Sequence, residues 1–322
     1  MEKIKISIII PCYNSFDLMT NCLASLENQT QKNFEVIFID DCSKDKTLKS
    51  LISYKEKSNL NIKILRNNKN RGPGASRNLG IKNAQSEYIV FCDSDDWFEL
   101  NFIEEIYKEL NKNAPDIIIF DYNKIIKGKK IKANSLSELS NGLLNESYII
   151  ATKYSLCCFC IRKSIFIDIK IPNLYNGEDI AIIPLLIYKA HKISILKNSF
   201  YNYYFRANST SNKSSKKVAE QLITAFNYIE SNLENKIKQE ILEYLGIKII
   251  LYGVTLNLFK LQDMIMVRNV INNFERKYTS WYKNEYIKKL GILKRIYLLV
   301  LRKRLLVLNL LFSKIHSKLV EN

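Results

Sequence analysis

Short apolar runs alternate with helix-period segments over the first 122 residues, and nearly every run stops at a polar or acidic turn. Residues 4–10 form a β-branched run closed by Pro11. Residues 34–39 end at Asp40-Asp41, residues 62–65 form a third run, and residues 88–92 end at Asp93-Ser94-Asp95-Asp96. Such short, bounded runs read as buried strands. Between them, residues 16–28 and 43–57 show helical spacing, and residues 72–84 open a helix on a glycine-rich turn. Strand and helix alternating through short links admit few arrangements. The favoured one is an α/β, mostly parallel sheet with helices on both faces. Ligands of such sheets bind at the carboxyl ends of the strands. Residues 11–14, 40–41 and 93–96 are therefore expected along one edge.

That edge is acidic. Asp93 and Asp95, two apart at a strand end, suit a hard divalent cation that completes its shell with diphosphate oxygens. The plainer alternative is a solvated turn in which Asp96 caps the next helix. Glu178-Asp179 precedes a helical segment at 180–190 and reads, alone, as an N-terminal cap pair. Residues 124–137 are polar and basic and read as a hairpin or loop.

From about residue 216 the alternation gives way to helical patterns at 219–233, 236–261 and 267–278 and a basic amphipathic tail at 285–318. The expected division is a catalytic domain at 1–212, with halves at about 1–122 and 123–212, and a helical region at 213–322. The net charge is +17, and residues 213–322 carry 20 Lys/Arg against 9 Asp/Glu. Basic surfaces attract nucleic acid, anionic lipid or phosphorylated substrates. Here the charge sits on a Leu-rich tail, without an aromatic stacking platform or a nucleic-acid-binding motif, so no nucleic-acid partner is expected. Leu and Ile clusters interleaved with Lys294-Arg295 and Arg302-Lys303-Arg304 suit an anionic membrane surface. No uncharged apolar run reaches the length of a spanning helix. Seven Cys, an odd number, and no secretory signal fit a reducing cytoplasm. The single CxxC, Cys157 to Cys160, with only two His in the chain, does not assemble a closed zinc site.

Read in order, Ser7-Ile8-Ile9-Ile10-Pro11-Cys12-Tyr13-Asn14, Ile39-Asp40-Asp41, Asn70-Arg71-Gly72-Pro73-Gly74-Ala75-Ser76-Arg77-Asn78, Asp93-Ser94-Asp95-Asp96 and Gly177-Glu178-Asp179 resemble the motif series of glycosyltransferase family 2 over roughly residues 4–212. The resemblance implies a GT-A fold and an inverting transferase that uses a nucleotide-diphosphate sugar, UDP favoured, with Mn²⁺ or Mg²⁺. It implies a hexosyl or N-acetylhexosaminyl donor and a glycan or lipid-linked acceptor of surface polysaccharide, capsule or lipooligosaccharide synthesis, at the inner face of the cytoplasmic membrane. By the same resemblance Pro11, Tyr13, Asn14, Asp41, Arg71, Arg77, Asp93 and Ser94 bind the donor nucleotide, and Asp95 with Asp93 holds the metal. Asp179 is the implied base, supported by Glu178. Arg206 and Ser209, in an aromatic-Arg-x-x-Ser setting, contact phosphate or acceptor. Residues 156–162 depart from the family's acceptor-lining pattern and leave the acceptor open. Two alternatives stand beside this reading. A sugar nucleotidyltransferase would want a Gly/Arg/Lys-rich signature after the first strand, which residues 11–14 lack. An inactive partner subunit would not need the full set of carboxylates present here.

Overall fold

The computed structural model describes residues 5–136, 145–206 and 214–321, with side chains to residue 315. They form two compact units, Met1–Arg206 and Ala207–Asn322, so the division falls before residue 212.

In the first unit β1 (Ile6–Cys12), α1 (Thr20–Glu27), β2 (Phe34–Asp40), α2 (Thr47–Lys57), β3 (Asn61–Arg66), α3 (Gly72–Asn83) and β4 (Tyr88–Phe91) alternate. Then come β5 (Trp97–Phe98), α4 (Phe102–Asn113), β6 (Ile117–Ile126), β7 (Lys129–Ala133), α5 (Asn145–Ala151), β8 (Phe159–Arg162), α6 (Glu178–Lys189) and β9 (Ile193–Tyr204). One sheet runs β3-β2-β1-β4-β8-β6-β9-β5, with β7 beside β6. β1 lies parallel to both β2 and β4, whereas β8 is antiparallel to β4 and β6. The strand order turns back between β1 and β4, which makes their carboxyl ends the expected crevice.

β1 and β2 are buried along almost their whole length, as continuous apolar strands covered on both faces should be. β1 runs through Pro11 rather than ending before it. Ile9 accepts the N–H of Cys92 on the β4 side, so backbone alternation puts the missing N–H of Pro11 on that same side, where β4 has already ended at Phe91. Gly80 lets α3 lie on β1, since a Cβ there would fall 2.4 Å from Ile9 Cγ2. α1 starts at Thr20, later than its periodicity suggests. The N–H groups of Asn14, Ser15 and Phe16 are instead drawn to Ser43 Oγ (3.0 Å), Thr47 Oγ1 (2.8 Å) and Asp45 Oδ2 (3.3 Å) at the start of α2. The basic segment expected as a hairpin is one: β6 and β7 pair antiparallel about Lys127-Gly128, both at positive φ (49° and 77°).

In the second unit α7 (Lys216–Leu233), α8 (Gln239–Gly246), a π-helical stretch (Ile247–Val254), α9 (Thr255–Lys260), α10 (Met264–Lys277), α11 (Ile292–Arg302) and α12 (Leu306–Glu321) follow. The continuous stretch Gln239–Lys260 is long and apolar enough to cross a bilayer by length and composition, but 78% of its apolar window is buried in the protein, as in a core helix. Gly246 admits the Phe226 and Phe274 rings, which a Cβ would meet at 2.7 and 2.5 Å. The tail helices pack and expose at once. Tyr297, Leu298, Leu301 and Leu306 are buried, and the Tyr297 hydroxyl lies 2.6 Å from Thr255 Oγ1. Ile292, Leu293, Ile296 and Leu299 of α11 and Val307, Leu308, Leu311 and Ile315 of α12 remain exposed.

Candidate active site

The loop after β1 opens the cleft. Tyr13 is 44% exposed there. Asn14 takes a left-handed conformation (φ 47°), and its Oδ1 accepts the Lys44 N–H at 2.8 Å. Ser15 Oγ accepts from the Tyr13 N–H (3.1 Å) and the Ser94 hydroxyl (2.8 Å), which ties this loop to the one after β4. Asn14 and Ser94 thus shape the cleft, and Tyr13 and Phe16 are the exposed rings of this loop.

Asp41 is buried and accepts N–H groups from Gly72 (2.8 Å), Arg71 (3.0 and 3.1 Å) and the Asn67 amide (2.7 Å). The N-terminus of α3 therefore already holds an anion, the protein's own carboxylate. The glycines of the turn also face protein. Gly72 sits at φ 83° against the Tyr175 ring, and a Cβ on Gly74 would fall 2.3 Å from the carbonyl oxygen of Pro172. Their smallness lets residues 171–175 pass close over the turn. The Arg71 side chain is exposed beside it.

Arg77 is the centre of the site. It is 2% exposed and stands over the Phe91 ring. Through Nη1 it donates to Glu178 Oε1 (2.7 Å) and Asp179 Oδ1 (3.4 Å), and through Nη2 to Asp93 Oδ1 (2.9 Å). One guanidinium thus faces three carboxylates and acts as a hub between them. Glu178 and Asp179 are the first two residues of α6, which starts after Gly177 in a left-handed conformation (φ 89°). Asp179 Oδ2 accepts the Leu156 N–H at 3.0 Å, yet the side chain stays 21% exposed. Its carboxyl is pushed up to about 7, by burial first, against the pull of Arg77, with the Glu178 and Asp93 charges adding to the rise. A carboxylate that titrates near neutrality and is reachable from solvent is suited to take a proton from a hydroxyl.

At the end of β4, Asp95 pairs with Arg206. Burial and the neighbouring Asp93 charge raise its pKa, and Arg206 opposes the rise. Asp93 and Asp95, each holding a guanidinium, form a pair that a second cation could share. Among the described residues no group of three or more His, Cys, Asp or Glu is gathered for a metal ion. The pair fits a hard divalent cation that draws its other oxygens from a ligand, and does not fit a closed protein cage. Asp96 does not cap a helix. β5 follows it, and Asp96 accepts from the Tyr201 hydroxyl and from the Tyr204 N–H (2.7 Å) on β9. Burial, with the Asp93 and Asp95 charges, keeps it well above the usual carboxylate range. Tyr201, which also accepts the Asp93 N–H (3.3 Å), was not identified from sequence. Its position among alternating aromatic residues at 200–205 carries no mark of that role. Ser209 lies outside the described residues. Residues 156–162 enter the sheet as a 3-10 turn (Leu156–Cys158) and β8, and Cys157 and Cys160 are free, buried thiols.

The family described as glycosyl transferase family 2 matches residues 7–170. A poly(ribitol-phosphate) beta-glucosyltransferase of Bacillus spizizenii is 36% identical over 207 residues, 62% of this chain and 32% of that one. A cholesterol galactosyltransferase of Borreliella burgdorferi is 29% identical over 231 residues, 66% of this chain and 63% of that one. The chain thus spans about a third of the length of the poly(ribitol-phosphate) enzymes it matches. The crystal structure of S. aureus TarS 1–349 in complex with UDP-GlcNAc superposes with a TM-score of 0.72 at 22% identity, covering 98% of this chain and 92% of that one. That likeness is one of fold, and it extends the GT-A assignment beyond the matched residues.

Proposed function

The chain belongs to glycosyl transferase family 2, and from that premise we propose that it is an inverting transferase. It moves a hexosyl or N-acetylhexosaminyl group from a UDP-sugar to a hydroxyl of a glycan or lipid-linked glycan in bacterial surface-polymer assembly. The observation that carries this reading is Asp179, a solvent-reachable carboxyl raised to about 7, held by the guanidinium that also grips Asp93. Asp179 accepts the proton of the acceptor hydroxyl as its oxygen attacks the anomeric carbon. The bond from that carbon to the diphosphate breaks on the opposite face, and the nucleoside diphosphate leaves with its electron pair. Tyr13 lies against the base. Asp41 holds the turn that carries Arg71 to the ribose and phosphates. Arg206 exchanges its hold on Asp95 for the diphosphate as the donor enters. The UDP assignment is supported by the relatives whose solved structures contain UDP and UDP-GlcNAc.

Asp95 and Asp93 are the residues that would hold Mn²⁺ or Mg²⁺. When bound, the ion screens the diphosphate and stabilises the leaving nucleotide. Thermal shift against UDP, GDP, dTDP and CMP, each with Mn²⁺ and with EDTA, tests donor and metal together. A saturating ligand at about 100 times its Kd adds about 2.7 kcal/mol. UDP with Mn²⁺ should raise Tm, and Asp95→Ala should abolish that rise while leaving the unliganded Tm within a few degrees. A UDP shift unchanged by EDTA in the native protein would remove the metal from this reading. No shift with any nucleotide would remove the donor site.

The same reading places the protein at an anionic membrane surface through α11 and α12. Their exposed Leu, Ile and Val residues, 46–68% accessible, lie among Lys294, Arg295, Lys303 and Lys314. Each basic residue near such a surface contributes about 1 kcal/mol. Co-sedimentation with phosphatidylglycerol vesicles should fall about tenfold or more in a Leu293→Glu, Leu308→Glu variant, whose altered side chains are exposed in the fold. Deleting the tail would be a poor substitute, because Tyr297, Leu298 and Leu301 are core. Equal sedimentation of native and variant protein would refute the membrane role.

A further inference from the structure

The basic hairpin takes no part in the chemistry above. Residues of β7 and β9, the two strands that flank β6, border an open cavity of about 370 Å³. It lies where β6 and β9 lose register: Phe120 pairs with Leu196 but Asp121 with Ser199, so Lys197 and Asn198 are extra residues of a β-bulge. Bulges re-aim side chains, and both residues line the cavity, opposite Lys130 and Lys132 of β7. Asn123 of β6 also lines it and is only 1% exposed. Its amide nitrogen donates to Asn202 Oδ1 (3.0 Å), while its own Oδ1 is buried without a hydrogen-bond partner.

The chemistry of these groups narrows the ligand. Lys130 is neutralised by Glu99, whose Oε1 also accepts from Asn202 Nδ2 (2.8 Å). Lys132 and Lys197 have no acidic partner among the described residues. Two uncompensated ammonium groups call for an anion. A buried amide oxygen without a donor calls for a hydroxyl, because leaving such an acceptor unmet costs free energy. A neutral sugar answers only the second demand, and a nucleic-acid strand would look for exposed stacking rings, whereas the one ring of the lining, Phe200, is buried. A chain bearing hydroxyls and phosphodiesters answers both.

We propose that this cavity is a secondary site for an anionic, hydroxyl-rich chain: a phosphodiester-linked polyol or sugar segment of the acceptor, away from the reacting hydroxyl. Glu99 lies three residues after Asp96, within on the order of 10 Å along the chain. A segment a few units long can therefore extend from the cleft to the cavity. The use of the site in transfer rests on the transferase reading, whereas the binding itself does not.

Calorimetric titration of the full chain with a short glycerol-phosphate oligomer tests it, beside a neutral dextran oligomer and a single-stranded DNA oligonucleotide of the same charge. The oligomer should bind the native protein, and more tightly than either control. Lys132→Glu with Lys197→Glu, both exposed, should weaken it about tenfold or more. The UDP-induced thermal shift should be unchanged in that variant. Equal binding by variant and native protein, or dextran or DNA binding as tightly as the oligomer, overturns the proposal. Loss of the UDP shift in the native protein would instead sink the transferase reading and leave the oligomer result standing.

Discussion

Asp179→Asn is expected to lower kcat by about 10²- to 10⁴-fold with little change in Tm, the span that a positioned general base contributes. The amide keeps the size of the side chain, and its one oxygen can still accept the Leu156 N–H, the shorter of the two contacts, so most of the loss reports the proton transfer. The pH profile supplies a second, independent reading. The carboxyl sits near 7 because burial and the Glu178 and Asp93 charges disfavour its ionised form. The base works only when ionised. Activity should therefore be constant above about pH 7 and fall tenfold per pH unit as pH drops below it, with an apparent pKa that belongs to the whole carboxylate cluster. An acid limb near 4 would mean that an ordinary exposed carboxylate does this work. An Asp179→Asn enzyme with native kcat would exclude the assignment outright.

The second large effect is expected at Arg77. Arg77→Met removes the guanidinium from Asp93, Glu178 and Asp179 together and leaves their charges facing one another in a largely buried place. Breaking one side of a buried ion pair costs about 3–5 kcal/mol. A loss of that size should appear in urea unfolding as a lower midpoint with little change in slope. Arg77→Lys keeps the charge but cannot fork to two ends of the cleft, so it should recover most of the stability and little of the activity. If Arg77→Met unfolds at the native midpoint, the hub carries no structural weight and the three contacts are incidental.

The strands were legible because β1 and β2 are covered on both faces, and burial leaves a continuous apolar signature. The crevice was legible because strand ends in such a sheet converge by topology, and Asp41, Asp93, Asp95 and Asp179 all stand at element ends. Arg77 was not. Its partners lie 16 and 101 residues away, and nothing local distinguishes a buried arginine from a solvated one in the first turns of a helix. Asp96 was misplaced for a related reason. A carboxylate before a helical pattern looks like a cap, and the competing hydroxyl of Tyr201 arrives from a strand 105 residues on. Nor does anything local show that the turn glycines make room for residues 171–175.

That close passage bears on how such enzymes can be recombined. Motif order suggests a seam near residue 122, with a donor-binding half before it and an acceptor-binding half after it. The contacts run otherwise. Gly74 against Pro172, the Asn78 side chain on the backbone of Ile171 (2.7 and 3.1 Å) and Arg77 on Glu178 bind the two halves at one junction, beside the β4–β8 and β5–β9 pairings. A chimaera that joins the first half of this chain to the second half of a relative inherits a mismatched junction wherever these residues differ. Acceptor specificity should be transplanted with residues 70–78 and 171–179 moved as one block.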